Sequence, residues 1–210
     1  MTRFAAMERQ GLADLLDEVG PDAPTLCEGW TARDLAAHLV LRERRPDAAA
    51  GILLAPLAGY TERVQGSLAA GPWPRLVAKV RRAPWWSPVS NRLTDELANR
   101  VELFVHHEDV RRARPGWAPR ALPAGQAEAL WGQTRAFAKR ALRRVPAAVT
   151  VCPTDVAGEM AAGAGGPAVR LSGPTPELLL FLMGRQEHAR VDLDGPPEVT
   201  DRLRRARFGV

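Results

Sequence analysis

The fold of this chain is decided by a stretch in which polar residues interrupt an apolar helical pattern: Val101-Glu102-Leu103-Phe104-Val105-His106-His107-Glu108-Asp109-Val110. Glu102 and His106 are four residues apart, so a helix presents both side chains on one face. Asp109 continues the same stripe, whereas His107 points about 100° away around the helix. The stretch lies within the longest helical pattern of the sequence, residues 91–113.

A third polar group is found on another predicted helix, in Trp30-Thr31-Ala32-Arg33-Asp34-Leu35-Ala36-Ala37-His38-Leu39. Thr31 at the N-cap and Asp34 three residues later form a variant of the capping box, with Trp30 able to pack on Leu35. The helix is predicted to run to about residue 45 and to place His38 on its core side.

These side chains have more than one interpretation. A buried carboxylate is costly unless it is paired or bound to a metal, and the spacing leaves both open for Glu102 and His106. His38 alone is more often a structural histidine. Together, two imidazoles and one carboxylate inside a bundle would form a metal site with open positions. Asp109 either orients an imidazole or forms a surface pair with Arg112.

Other candidates carry weaker signals. Cys27 precedes the His38 helix and offers a sulfur ligand, although an ordinary cysteine is the favoured interpretation. His188 is predicted to be an exposed loop residue. Trp85 and Trp86 lie in a loop bracketed by prolines, which we expect to plug the end of a bundle, with pocket lining as the alternative.

The hydrophobic pattern predicts a mainly α chain with a small α+β tail. Helical periodicity covers residues 3–19, 31–45, 57–68, 74–82, 91–113 and 123–144. After Pro146 the pattern changes to predicted strands at 148–152, 168–172 and 189–193, with helices at 177–183 and 196–206. The expected organisation is therefore an all-helical domain, residues 1–146, and an α+β domain, residues 147–210.

Composition narrows the class of protein. The 210 residues carry a net charge of +5, almost all of the positive charge being arginine interspersed with acidic residues. Dispersed arginines argue against nucleic-acid binding. We expect no membrane partner, because no apolar run reaches about 18–20 residues. The two cysteines lie far apart, which favours a reducing cytoplasm.

The two quoted segments resemble the DinB-like superfamily, and most closely the actinobacterial group of mycothiol-dependent maleylpyruvate isomerase N-terminal domains. The segment Glu177-Leu178-Leu179-Leu180-Phe181-Leu182-Met183-Gly184-Arg185 is similar to the small C-terminal domain of that group. The resemblance implies a four-helix bundle that holds a divalent metal, commonly zinc, through His38, Glu102 and His106. It also implies a low-molecular-weight thiol such as mycothiol as cosubstrate.

The resemblance leads to a first functional hypothesis, a thiol-dependent transferase or isomerase acting on a small electrophile, as a monomer or homodimer. Arg185 is the candidate contact for the thiol or a carboxylate, with an exposed arginine as the alternative. The competing hypotheses are a non-catalytic metal-binding stress or sensing module and a nucleic-acid or partner-binding protein. A non-haem iron oxygenase is disfavoured because two-histidine, one-carboxylate iron sites usually lie in β-barrels.

Overall fold

The structure is a computed structural model that describes residues 4–52, 54–90 and 94–208. The chain divides into two compact units, Met1–Ala118 and Pro119–Val210. The described part is mainly helical, with one small sheet in the second unit, as the sequence predicts. Residues 91–93 of the predicted long helix lie outside the described residues.

The first unit is all-helical in its described part. Its α-helices are α1 (Phe4–Val19), α2 (Ala32–Arg44), α3 (Pro46–Ala49), α4 (Ala58–Ala69), α5 (Trp73–Arg81) and α6 (Asp95–Arg112). The short α3 and the 3-10 turns Ala50–Ile52 and Ala55–Leu57 occupy a segment that the sequence pattern left irregular.

The long helices pack through the apolar stripes that predict them. Helix α1 lies along α6, α2 packs on α4, and α5 contacts α1 and α2. Their shared core contains the buried side chains Leu12, Leu16, Leu35, Leu39, Leu103 and Val110. Each apolar residue removed from water contributes about 1.5–3 kcal/mol, so this shared core joins α1, α2, α5 and α6 in one bundle.

Helix α2 begins where its capping signal predicts. The Thr31 backbone N–H donates to Asp34 Oδ2 at 2.9 Å, and the Thr31 hydroxyl donates to the same oxygen at 2.7 Å. The carboxylate therefore satisfies a backbone donor that the helix leaves unpaired. This start sets the rotation of α2 and with it the direction of His38.

A buried ion network ties three helices together. Arg9 on α1 is 2.7 Å from Glu43 Oε1 on α2 and 3.0 Å from Asp95 Oδ1 on α6. The charges of Arg9 and Glu43 are almost fully removed from water, so the loss of either would leave an uncompensated buried charge. The network supports the alignment of the two helices that carry the candidate site.

The second unit combines helices with a four-stranded sheet. Its elements are α7 (Gln126–Leu142), β1 (Ala148–Pro153), β2 (Met160–Ala162), β3 (Ala168–Gly173), α8 (Thr175–Leu182), β4 (Asp192–Asp194) and α9 (Pro197–Arg205). The strand order is β2-β1-β3-β4; β1 pairs in parallel with β3, and the outer strands are antiparallel. The sequence pattern missed β2 and placed β4 three residues early, at Ala189.

Helix α7 belongs to the second unit, whereas the sequence pattern placed the domain boundary after it, near Pro146. Its buried residues Trp131, Ala138 and Leu142 pack in one core with the sheet and with α8. Amphipathic periodicity shows that a helix has a buried face and does not show which core receives it.

The expected tryptophan plug is wrong. Trp85 is 84% exposed and Trp86 is 48% exposed, so neither ring fills the end of the bundle. Neither residue lines the cavity beside His38 described below. In the described ranges, no helix is both long and apolar enough to cross a membrane.

Candidate metal centre

Three donor atoms from two helices converge between α2 and α6. His38 Nε2 lies 3.3 Å from Glu102 Oε1, and His106 Nε2 lies 3.2 Å from the same oxygen. One donor atom from each of the three residues lies within 4.8 Å of the others. The structure thus brings together the three side chains that the sequence singles out.

The chemistry and spacing of this set fit a divalent metal ion. Zinc takes imidazole nitrogens and carboxylate oxygens at about 2.0–2.2 Å, which places neighbouring donors of a tetrahedral site roughly 3.3 Å apart. The two measured separations match that spacing. Three protein ligands leave one position of a tetrahedral ion open, as in catalytic zinc sites.

Asp109 fixes the orientation of His106. Its carboxylate is fully buried and its Oδ2 lies 2.9 Å from His106 Nδ1. When Nδ1–H donates to this oxygen, the lone pair of Nε2 is directed at Glu102 and His38. The alternative of a surface pair with Arg112 is wrong, because the side chains of Asp109 and Arg112 are both buried. Arg112 Nε donates to Glu108 Oε2 at 2.6 Å.

Cys27 approaches the opposite edge of the same imidazole. Its Sγ lies 3.3 Å from Asp109 Oδ2 and 4.0 Å from His106 Nδ1. Within the described residues, Cys27, His106 and Asp109 form a second group with metal-ligand atoms close together. Because Cys27 faces Nδ1, it does not join the set formed by the Nε2 atoms.

Burial and hydrogen bonds shift the pKa values of the three candidate ligands in different ways. Burial lowers the pKa of His38, and the Glu102 hydrogen bond only partly opposes this. Burial disfavours the charged form of Glu102, yet hydrogen bonds with His106 and His38 hold its pKa well below the ordinary value. For His106, contacts with Asp109, Cys27 and Glu102 outweigh burial and raise the pKa well above the ordinary value. The cluster therefore favours positive charge beside Glu102.

Arg42 and Trp30 complete the surroundings, and sequence reasoning assigned neither to the site. Arg42 Nε lies 3.5 Å from Glu102 Oε1, and its guanidinium also bonds Asn99 Oδ1 and the Ala98 carbonyl on α6. The Trp30 ring centroid is 5.1 Å from that of His38. Arg42 follows His38 by four residues, so helical spacing could have indicated it.

His107 serves a different purpose from His106. Its Nδ1 lies 2.9 Å from Glu8 Oε2 on α1, in a pair that is almost completely buried. The ring also packs against Gly11, where an added Cβ would lie 2.9 Å from His107 Cε1. The adjacent histidines thus face opposite neighbours, as their 100° separation predicts.

Arg185 and His188 lie in the second unit. The Arg185 guanidinium donates to the Met183 carbonyl, and its backbone N–H donates to Leu180. His188 ends the 3-10 turn Gln186–His188 and is half-buried instead of fully exposed. Contact of Arg185 with a thiol or carboxylate stays a prediction.

The chain has a fold related to that of mycothiol-dependent maleylpyruvate isomerase. A crystal structure of that enzyme matches with a TM-score of 0.54 at 14% identity, covering 91% of this chain and 90% of the other. A crystal structure of a histidine-to-alanine mutant of mycothiol-dependent maleylpyruvate isomerase matches with a TM-score of 0.51 at 15% identity, covering 92% and 93%. No protein-family model and no curated protein sequence matches the chain.

Proposed function

We propose that His38, Glu102 and His106 hold a divalent metal ion, with zinc the first candidate, and that the protein is a thiol-dependent transferase or isomerase. The observation that carries the proposal is the convergence of both Nε2 atoms on Glu102 Oε1, at 3.3 and 3.2 Å. The two matching crystal structures are of a mycothiol-dependent enzyme, which supports mycothiol as the thiol.

A divalent ion at this position would supply Lewis acidity, lowering the pKa of a coordinated thiol so that a thiolate forms near neutral pH. The protein's own residues prepare the position. With a metal bound, Asp109 would hold neutral His106 in the tautomer that presents Nε2; Arg42 lies against the Glu102 carboxylate. Trp30 flanks His38 and limits the space beside it. Such a thiolate would be the nucleophile for addition to a small electrophile.

Cobalt substitution tests the thiol step. The protein is loaded with Co²⁺, and its visible and near-ultraviolet absorption is recorded before and after mycothiol is added. The proposal predicts a new sulfur-to-cobalt charge-transfer band. The Cys27→Ser variant is the control, because a charge-transfer band in this variant cannot arise from the sulfur of Cys27, which lies near His106 in the wild type.

Two results would count against the proposal. An unchanged cobalt spectrum at saturating mycothiol would favour the non-catalytic metal-binding module. A band that is present in the wild type but lost in Cys27→Ser would assign the sulfur to the protein instead of to mycothiol.

A further inference from the structure

A cavity of about 440 Å³ leads to His38 from one side. Asp34 and His38 of α2, with Trp30 just before that helix, form one wall, and Thr61, Glu62 and Gln65 of α4 form the other. The exposed side chains Glu62 and Ile52 lie at its border, so the cavity is reached from solvent. It is large enough for a small organic molecule. A molecule that reaches His38 through this cavity passes between these walls.

The cavity is acidic although the chain is basic. Asp34 and Glu62 line it, and none of its lining residues in the described part of the chain is Arg or Lys. This contrasts with 29 Lys and Arg residues and a net charge of +5 for the whole sequence. The lining charge therefore departs from the average surface of the protein.

The arginines adjacent in sequence are directed to other partners. Arg33 Nη1 donates to the carbonyls of Ala69 and Gly71, and its guanidinium stacks 5.7 Å from the Trp73 ring. Arg63 Nε donates to the Gly59 carbonyl on its own helix. These contacts leave Asp34 and Glu62 as the charged groups that a ligand meets at the cavity wall.

The remaining lining is apolar or neutral. Trp30 adds indole surface, and Ile52 adds aliphatic surface near the border. A cation gains from both carboxylates as well as from apolar contact, whereas a neutral molecule gains from apolar contact alone. An anion would be desolvated beside like charges. The lining thus ranks ligands by charge: cationic first, neutral second, anionic last.

We propose that the small molecule admitted to His38 is a cationic or neutral, partly apolar compound, and that Asp34 and Glu62 exclude carboxylates. That this molecule is the electrophile of the reaction rests on the proposed function. The charge preference rests on the cavity alone. Glu62 is the specificity-determining residue best suited to a test, because Asp34 also caps α2.

Binding of three probes of equal shape tests the inference. Dissociation constants of benzylammonium, benzyl alcohol and benzoate are measured by ligand-observed NMR titration of the full chain at low salt and neutral pH. The chain is examined first with a chelator, because a carboxylate or amine can also ligate a metal directly, and then with zinc. We expect benzylammonium to bind about threefold to tenfold more tightly than benzoate, the range of one or two exposed charge contacts.

Matched variants locate the effect. Glu62→Gln should reduce the ratio by which benzylammonium binds more tightly than benzoate. Glu62→Arg should make benzoate the tighter ligand. Asp22→Arg makes the same change in net charge at an exposed carboxylate outside the cavity lining, and it should preserve the ranking. Added salt should shrink the preference, because exposed charges are screened.

The outcomes separate this inference from the proposed function. Equal binding of the three probes, no binding by any probe, or an equal shift in Glu62→Arg and Asp22→Arg overturns the charge preference. If the ranking holds in chelated protein while the chain fails to bind zinc when zinc is supplied, the cavity inference stands and the proposed function fails. If metal and mycothiol bind but the ranking is absent, only the cavity inference fails.

Discussion

The buried carboxylate of Asp109 lies 2.9 Å from Nδ1 of His106, on the edge of the ring opposite Glu102. This contact orients the His106 imidazole so that its Nε2 atom can act as a metal ligand. Helix α6 brings the two side chains together, because residues three apart lie on one face of a helix. A metal held by His106 would therefore depend on a residue that does not touch it.

Replacing Asp109 with asparagine should weaken metal binding without removing it. We expect the zinc dissociation constant to rise about 10–100-fold, the usual cost of losing a carboxylate partner of a ligating imidazole. Competition with a chromophoric chelator measures the constant. Circular dichroism confirms that the helices are retained. An unchanged constant in a folded variant would show that Asp109 does not orient the ligand.

Metal removal should lower the stability of the wild-type protein. Binding to the folded state alone contributes about 2.7 kcal/mol when free metal is 100 times its dissociation constant. A chelator should therefore lower the melting temperature of the zinc-loaded wild type and leave that of His38→Ala unchanged. Equal sensitivity of the two proteins to the chelator would place the stabilising ion elsewhere.

The His107–Glu8 pair should support the fold and leave metal binding intact. Glu8→Ala removes the partner of a buried histidine, with an expected loss of about 1–3 kcal/mol in the free energy of unfolding. Urea unfolding measures the loss, and metal analysis of the same sample should give wild-type content. Loss of metal in a folded Glu8→Ala variant would contradict the separate roles of the two histidines.

Gly11 should resist substitution for a steric reason. A methyl group there would lie 2.9 Å from His107 Cε1, so Gly11→Ala should destabilise the protein by about 1–3 kcal/mol through overpacking. At Gly132, in α7, an added Cβ would meet no atom within 4 Å apart from its chain neighbours and the backbone of its own helix. The matched Gly132→Ala variant should be neutral or stabilising by up to about 1 kcal/mol. Chemical denaturation measures the free energy of unfolding of both variants. If Gly11→Ala were as stable as Gly132→Ala, the predicted overpacking against His107 would be contradicted.

Most of the candidate site could be predicted from the sequence, because its residues lie close together along two helices. Glu102, His106 and Asp109 share a stripe of one helix, and the Thr31 cap fixes the start of α2. Spacing left the choice between an ion pair and a metal open, since both need the same convergence of side chains. The approach of His38 to Glu102 depends on packing between helices, which periodicity does not encode.

What the sequence did not indicate concerns exposed surfaces and the core against which a helix packs. The size and apolarity of Trp85 and Trp86 suggested burial, but composition does not identify what an aromatic side chain packs against. Helix α7 has the expected amphipathic pattern and packs on the sheet, which moves the boundary between units. The acidic cavity draws its walls from α2 and α4, so its charge became visible only once the two helices were placed.

Metal content per chain, measured after purification without added metal, tests the central claim most directly. The wild type and His107→Ala should each carry about one divalent ion, whereas folded His38→Ala and His106→Ala should carry almost none, because two remaining donors bind weakly. Elemental analysis also identifies the native metal. Full retention of metal by both His38→Ala and His106→Ala would contradict the account.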